Sequence, residues 1–152
     1  MKSIKLKGEQ NMNVLIDTNV ALDVIICREP FLESSQLIML ASERNIINGF
    51  ITASSITDIF YITNKHLRDR KATYKALKEH LIGTIRIAAV DEKAITDALD
   101  FEWADFEDCV QYVVGESIVA DYIVTRNPKD YEKDQISVVT PEELLNIIAP
   151  SE

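Results

Sequence analysis

The sequence is poor in the residues from which several common active sites are built. Four glycines in 152 residues leave no glycine-rich phosphate loop, and no Gly-x-Ser-x-Gly nucleophile elbow is present. Cys27 and Cys109 are too few for a disulfide framework, and no Cys-x-x-Cys spacing exists for zinc. His66 and His80 stand far apart, with no His-x-x-x-His pair. No apolar run approaches the ~18 to 20 residues of a membrane span. The basic start, Met1-Lys2-Ser3-Ile4-Lys5-Leu6-Lys7, is not followed by the apolar stretch of a signal peptide. Zinc sites, nucleophile triads, nucleotide loops and membrane insertion are thereby disfavoured, and a cytoplasmic protein is expected.

What is present is a globular composition, 47% hydrophobic and 27% charged, in a chain long enough for one domain with a substantial core. Basic residues are scarce, 16 against 25 acidic, which taken as an average speaks against nucleic acid as a partner. The distribution is uneven. Residues 65–78 hold Lys65, Arg68, Arg70, Lys71, Lys75 and Lys78 against Asp69 alone, a net of +5 on a chain of formal charge −9, so the remainder stands at −14. A basic strip on an acidic body can hold a phosphate backbone or an acidic partner segment, or simply solvate a helix face.

Residues 1–11 are polar and aperiodic and read as an extension to a single domain over 12–149. Val14-Leu15-Ile16, Phe50-Ile51-Thr52, an alternation of Ile85, Ile87 and Ala89, Tyr122-Ile123-Val124-Thr125 and Ser137-Val138-Val139 read as five short strands. Helices are expected over 18–27 and 32–44. A third opens at Ser54-Ser55, with Asp58 completing a capping-box pattern and Ile56, Ile59, Phe60 and Thr63 inward. The basic stretch forms the next helix, with Leu67, Tyr74, Leu77 and Leu81 inward. Residues 91–100 form a short acidic helix. Phe106, Cys109, Val110, Val113 and Val114 recur at helical spacing after Asp105, and Pro141 begins the last helix. Strands alternating with helices imply an α/β fold of three layers, a mostly parallel sheet of about five strands covered by helices on both faces.

With histidine, cysteine and glycine sites set aside, carboxylates remain. Asp17 follows a strand and precedes a helix, where open α/β sheets carry their sites; it is equally placed to cap the helix. Asp58 lies in the first turn of its helix and is also accounted for by the macrodipole. Asp105 as N-cap with Asp108 three residues on is a sufficient structural account of that pair. Asn127 ends the fourth strand and reads as a turn asparagine. Together, however, independent segments bring these groups to one end of the sheet. Like charges gathered there repel unless neutralised, and magnesium or manganese, which take oxygen ligands, would neutralise them and could activate water against a phosphodiester.

These segments also resemble a known family. Met12-Asn13-Val14-Leu15-Ile16-Asp17-Thr18-Asn19 is similar to the opening motif of PIN domains, and Ile51-Thr52-Ala53-Ser54-Ser55-Ile56-Thr57-Asp58 to their second acidic motif. Asp105-Phe106-Glu107-Asp108-Cys109-Val110-Gln111 and Ala120-Asp121-Tyr122-Ile123-Val124-Thr125-Arg126-Asn127 resemble the third and fourth. The resemblance spans about Met12 to Ile148. It implies a PIN-like fold and a metal-dependent endoribonuclease, most often the toxin half of a toxin–antitoxin pair and commonly a homodimer. Carried over by position, Asp17, Asp58 and Asp108 form the catalytic core, with Asp105 and Asn127 as further metal-site residues. Lys65, Arg68, Arg70, Lys71 and Lys75 are the expected RNA-binding residues. Two positions depart from the family pattern: Asp58 stands where Glu is usual, one methylene shorter, and Asn127 stands where Asp is frequent. The rival reading is a PIN-like module that binds RNA or a protein without cutting. A haloacid-dehalogenase-like hydrolase would want Asp-x-Asp where the chain has Asp17-Thr18-Asn19. A response-regulator receiver would want paired acids before the first helix and a lysine ending a late strand, and neither is present.

Overall fold

The computed structural model describes residues 12–133 and 135–149; the expected extension over 1–11 lies outside the described residues. Five strands, β1 (Asn13–Ile16), β2 (Asn48–Thr52), β3 (Arg86–Ala88), β4 (Tyr122–Val124) and β5 (Ser137–Val139), form one sheet in the order β3-β2-β1-β4-β5. Every pairing is parallel. Helices α1 (Thr18–Ile25), α2 (Leu32–Glu43), α3 (Ala53–Leu67), α4 (Arg70–Leu81), α5 (Glu92–Phe101), α6 (Phe106–Ser117) and α7 (Pro141–Ile148) fill the connections. The α/β architecture expected from the alternation of elements is the one observed.

β1 is buried on both faces, which is why it is a short unbroken apolar run. Val14 and Ile16 enter one core with Val20, Ile38, Ile59, Leu81 and Leu144 from α1, α2, α3, α4 and α7. Leu15 enters the other with Ala98, Cys109, Val113 and Val114 from α5 and α6. Burying a side chain of this size contributes ~1.5 to 3 kcal/mol, so each residue of β1 helps to fix the sheet. Gly49 lets α2 approach β2 closely. A Cβ there would fall 2.8 Å from Ser42 Cβ, whose hydroxyl donates to the carbonyl of Thr84.

Several local expectations are corrected. The cap of α3 is Thr52, whose hydroxyl accepts from Ser55 N–H at 3.1 Å, because the strand runs directly into the helix. Asp58 consequently falls in the second turn, beyond the reach of the helix-end charge that could have explained it. Ile87 is 48% exposed, because β3 is an edge strand and Ile87 lines an open apolar pocket with Ile56, Phe60 and Leu77 of α3 and α4 instead of lying closed beneath them. Leu67 and Tyr74 are exposed rather than inward, as they flank the turn of the α3–α4 hairpin; Tyr74 still packs on Phe60. Phe106 is exposed at the free first turn of α6.

The chain passes from β1 outward to β2 and β3, then returns to lay β4 and β5 on the other side. Connections therefore diverge between β1 and β4, opening a crevice at their C-terminal ends, the place where such sheets hold ligands.

Candidate metal centre at the sheet switch point

Asp17 and Thr125 follow adjacent strands at this crevice. Asp17 occupies the N-cap position of α1 in extended conformation, yet its carboxylate makes no capping bond. It is 4% exposed and faces the crevice floor instead. Gln111 Nε2 donates to Oδ1 at 2.8 Å, and Thr125 Oγ1 donates to Oδ2 at 2.6 Å. Tyr131 O–H donates more distantly to the same oxygen, 3.4 Å. The structural alternative of a simple helix cap is thus not what holds Asp17. Tyr131 in turn leans on Trp103, which contacts Tyr112, so the site rests on the aromatic part of the core.

Helix α6 delivers the next acids. Asp105 caps it, Oδ1 accepting from Asp108 N–H at 3.0 Å. That cap holds Asp108 in the first turn, where the periodicity of α6 turns it inward and leaves it 9% exposed. A one-turn 3-10 segment, Pro128–Asp130, follows β4 and brings a third acid. One carboxylate oxygen from each of Asp105, Asp108 and Asp130 lies within 4.8 Å of the other two. Asp17, Asp105, Glu107, Asp108, Asn127 and Asp130 line a shared cleft of about 280 Å³. None of Asp17, Asp105, Asp108 and Asp130 has a salt-bridge partner among the described residues.

The consequence is electrostatic. Burial, followed by the charge of Asp17 and those of Asp105, Asp130 and Glu107, pushes Asp108 up to about 8. A hydrogen bond with Asp58, then burial and the Asp58 charge, pushes Glu107 up to about 7. Burial also raises the Tyr131 phenol, with the Asp17 charge adding to it. Such a set is held together against its own repulsion. The carboxylates of Asp105, Asp108 and Asp130 are hard oxygen donors, a set whose chemistry fits a hard divalent cation.

The residues singled out in the sequence are distributed as follows. Asp17, Asp105, Asp108 and Asn127 converge on the cleft. Asp58 comes against Glu107, and it is neither one of the Asp105–Asp108–Asp130 group nor among the residues lining the cleft. Asn127 keeps its backbone N–H on Thr125 Oγ1 at 3.2 Å and makes no side-chain cap of the following turn. Lys65, Arg68, Arg70, Lys71 and Lys75 are all exposed along the end of α3 and the start of α4. Lys65 and Arg68 lie about 10 and 15 Å of helical rise beyond Asp58. Sequence reasoning missed Asp130 and Gln111. The available signals were an acid three residues after the strand-end Asn127 and a lone amide inside the apolar run of α6.

The model of the family described as PIN domain matches residues 13–129. No curated protein sequence matches the chain. Among solved structures, it is similar to the sarcin-ricin-loop-cleaving toxin VapC20 of Mycobacterium tuberculosis, with TM-score 0.60 and 10% identity over 72% of this chain and 86% of that one. It is likewise similar to a chain of a toxin-antitoxin complex from Klebsiella pneumoniae, with TM-score 0.60 and 20% identity over 84% of this chain and 97% of that one. Identities this low speak to the fold, and the fold agrees with the family match that covers most of the chain: the protein belongs to the PIN domain family.

Proposed function

We propose that the protein is a divalent-metal-dependent endoribonuclease of toxin type, hydrolysing RNA phosphodiester bonds at the acidic cleft. The observation that carries this reading is the convergence of Asp105, Asp108 and Asp130 within 4.8 Å beside the buried Asp17, with no cationic side chain paired to them among the described residues. An acid cluster costs stability and is retained where a cation and a substrate repay it.

Asp108, Asp105 and Asp130 would hold magnesium or manganese, with Asp17 presenting its carboxylate from the cleft floor. Bound there, the cation supplies charge that acidifies a water and stabilises the leaving oxygen. The chain's own residues set the geometry. Gln111 and Thr125 fix the rotation of Asp17, and the Asp105 cap fixes the start of α6 and so the direction of Asp108. Burial and the neighbouring acids push Asp108 up to about 8, so it would have to give up a proton to hold a cation. Asn127 offers an uncharged amide at the cleft, suited to hydrogen-bonding a water or a phosphate oxygen. Asp58 acts through its contact with Glu107.

The catalytic domain is taken as 12–149, with 1–11 a polar extension. Lys65, Arg68, Arg70, Lys71 and Lys75 are proposed to draw in the RNA backbone. A homodimer in the cytoplasm and a cognate antitoxin protein complete the reading; the Klebsiella pneumoniae neighbour is itself part of a toxin-antitoxin complex. No helix among the described residues is long and apolar enough to cross a membrane.

The second reading, a PIN-like module that binds without cutting, draws on the amide at Asn127 and on the position of Asp58 outside the three-carboxylate group. Incubating purified protein with labelled structured RNAs in manganese, magnesium or EDTA separates the two. Cleavage that EDTA abolishes supports the enzyme. RNA retained intact in every condition supports the module.

A further inference from the structure

Behind the acidic cleft lies a fully buried acid that the proposed chemistry does not use. Asp23 of α1 is 0% exposed, and it gathers two arginines from distant parts of the chain. Arg28 Nε donates to its Oδ1 at 3.1 Å, Arg126 Nε lies 3.0 Å from its Oδ2, and Ser35 Oγ donates to Oδ2 at 3.1 Å. The Arg126 guanidinium also lies over the Phe31 ring, 4.1 Å from its centroid.

One arginine would satisfy a buried aspartate, and two leave a net positive charge. Arg28 is held by a hydrogen bond from Nε, the inner edge of its guanidinium, while Arg126 Nε is ion-paired with Asp23 without a hydrogen bond. Arg28 uses one terminal nitrogen on the Asn19 carbonyl at 3.4 Å. The terminal nitrogens of Arg126 have no hydrogen-bond partner among the described residues. Both side chains line the cleft with Asp17, Asp105, Asp108, Asn127 and Asp130. Neither forms a salt bridge with those acids. They are therefore not internal counter-ions of the carboxylate cluster; both pair with the buried Asp23 while lining the cleft.

We propose that Arg28 and Arg126 form a phosphate-binding edge that seats an RNA backbone phosphate beside the carboxylate group, with Asp23, Ser35 and Phe31 fixing their planes. The inference rests on the nuclease reading and adds a substrate subsite to it. Guanidinium is suited to the task because its planar fork matches two phosphate oxygens and stays charged at any working pH. Pairing with Asp23, and for Arg126 stacking on Phe31, removes rotamer freedom that an exposed arginine would lose on binding. The edge also separates the two halves of the substrate's charge problem: the acids hold the cation, and the arginines hold the phosphate those acids would repel.

The test uses the full chain and a short fluorescein-labelled single-stranded RNA. Binding is followed against salt in an Asp108→Asn background, and cleavage kinetics in the otherwise parental chain with manganese. Arg126→Gln and Arg28→Gln should each weaken RNA binding roughly ten- to hundredfold, the range for removal of a charged hydrogen bond. Each should reduce the salt slope by about 0.7, the single-strand value per neutralised phosphate. In cleavage, KM should rise by a similar factor. Arg126→Lys, which keeps the charge and loses the fork, should keep most of the slope and lose affinity. If Arg126→Gln fails to fold, Arg28→Gln and Arg126→Lys carry the same comparison. A parent that cuts RNA while the variants keep its KM and salt slope overturns the phosphate edge alone. A parent that neither binds nor cuts RNA overturns the nuclease reading and the edge with it. Equal binding of a labelled polyglutamate peptide, lost on Arg126→Gln while RNA binding is not, reassigns the arginines to an acidic protein partner and overturns the proposal.

Discussion

Gln111 Nε2 donates to Asp17 Oδ1 at 2.8 Å, while Gln111 Oε1, equally buried, has no hydrogen-bond partner. The amide is committed on one side and free on the other, so it can turn over without losing an existing bond at Oε1. Gln111 lies three residues beyond Asp108 on α6, and the contact ties the acid of one strand end to the helix that carries another.

This bears on Asp17→Asn. The substituted amide would set an N–H against Gln111 Nε2, but rotation of Gln111 presents Oε1 as acceptor, and the carbonyl of the substituted amide still accepts from the Thr125 hydroxyl. Cleavage should fall below about a hundredth of the parental rate, at least the loss known for groups that only support metal ligands. Thermal stability in EDTA should stay near that of the parent. Gln111→Leu should behave differently, leaving a buried carboxylate short of a donor at a cost of about 1 to 3 kcal/mol. Urea denaturation of both variants checks the contrast; a Gln111→Leu protein as stable as the parent would mean that the contact does not hold Asp17.

Asp108 and Asp121 are separated by the direction of the sheet. Asp121 Oδ2 accepts from Asn13 N–H at 2.9 Å, at the start of β1 and so at the edge opposite the cleft. Asp108→Ala is expected to abolish metal-dependent cleavage. Asp121→Ala should spare it and cost about 1 kcal/mol through the missing hydrogen bond. Side-by-side cleavage assays on the two proteins decide, and an active Asp108→Ala would remove that residue from the site.

The acid cluster also fixes the sign of the pH dependence. Asp108 at about 8 and Glu107 at about 7 lie above ordinary carboxylate values near ~4, so the folded metal-free protein binds more protons than the unfolded chain across this window. Stability from these groups is fully present below the ordinary values and is lost as pH rises through about 7 and 8. Melting temperature in EDTA should therefore decline from pH 5 toward pH 8 in the range these groups govern. Saturating manganese should raise it, most at the higher pH, because the cation binds the deprotonated acids. A metal-free melting temperature that climbs steadily to pH 8 would contradict the coupling.

For the basic strip, replacing Arg68, Lys71 and Lys75 together by Gln should weaken RNA binding and flatten its salt dependence by about 0.7 for each phosphate no longer neutralised. These side chains are exposed, and Lys75 is paired only loosely with Glu79, at 3.9 Å, so little stability should follow. An unchanged slope would leave them as ordinary surface charge.

The parts legible in the sequence are those set by local pattern. Val14-Leu15-Ile16 ending at Asp17, and the Asp105 cap with Asp108 behind it, each announce both an element and the acid it positions. The parts not legible depend on which segments meet. Gln111 is one polar residue in an apolar helix until β1 supplies Asp17, and Asp130 depends on the 3-10 turn after β4. Asp23 cannot be seen as an anchor in the sequence because Arg126 reaches it from more than a hundred residues away. Thr52 caps α3 in place of the serines because β2 enters the helix without a loop, which moves Asp58 by a turn. Ile87 breaks the burial pattern because only topology makes β3 an edge.

The central claim is that Asp105, Asp108 and Asp130 hold the cation on which RNA cleavage depends. Its most direct test is the single-turnover rate of RNA cleavage measured against manganese concentration for the parent, Asp130→Asn and Asp108→Ala. The account predicts no cleavage by any of them in EDTA, saturable manganese activation of the parent, a higher manganese requirement for Asp130→Asn, and no activity for Asp108→Ala. Parental cleavage that persists in EDTA, or the same manganese curve for all three proteins, would contradict it.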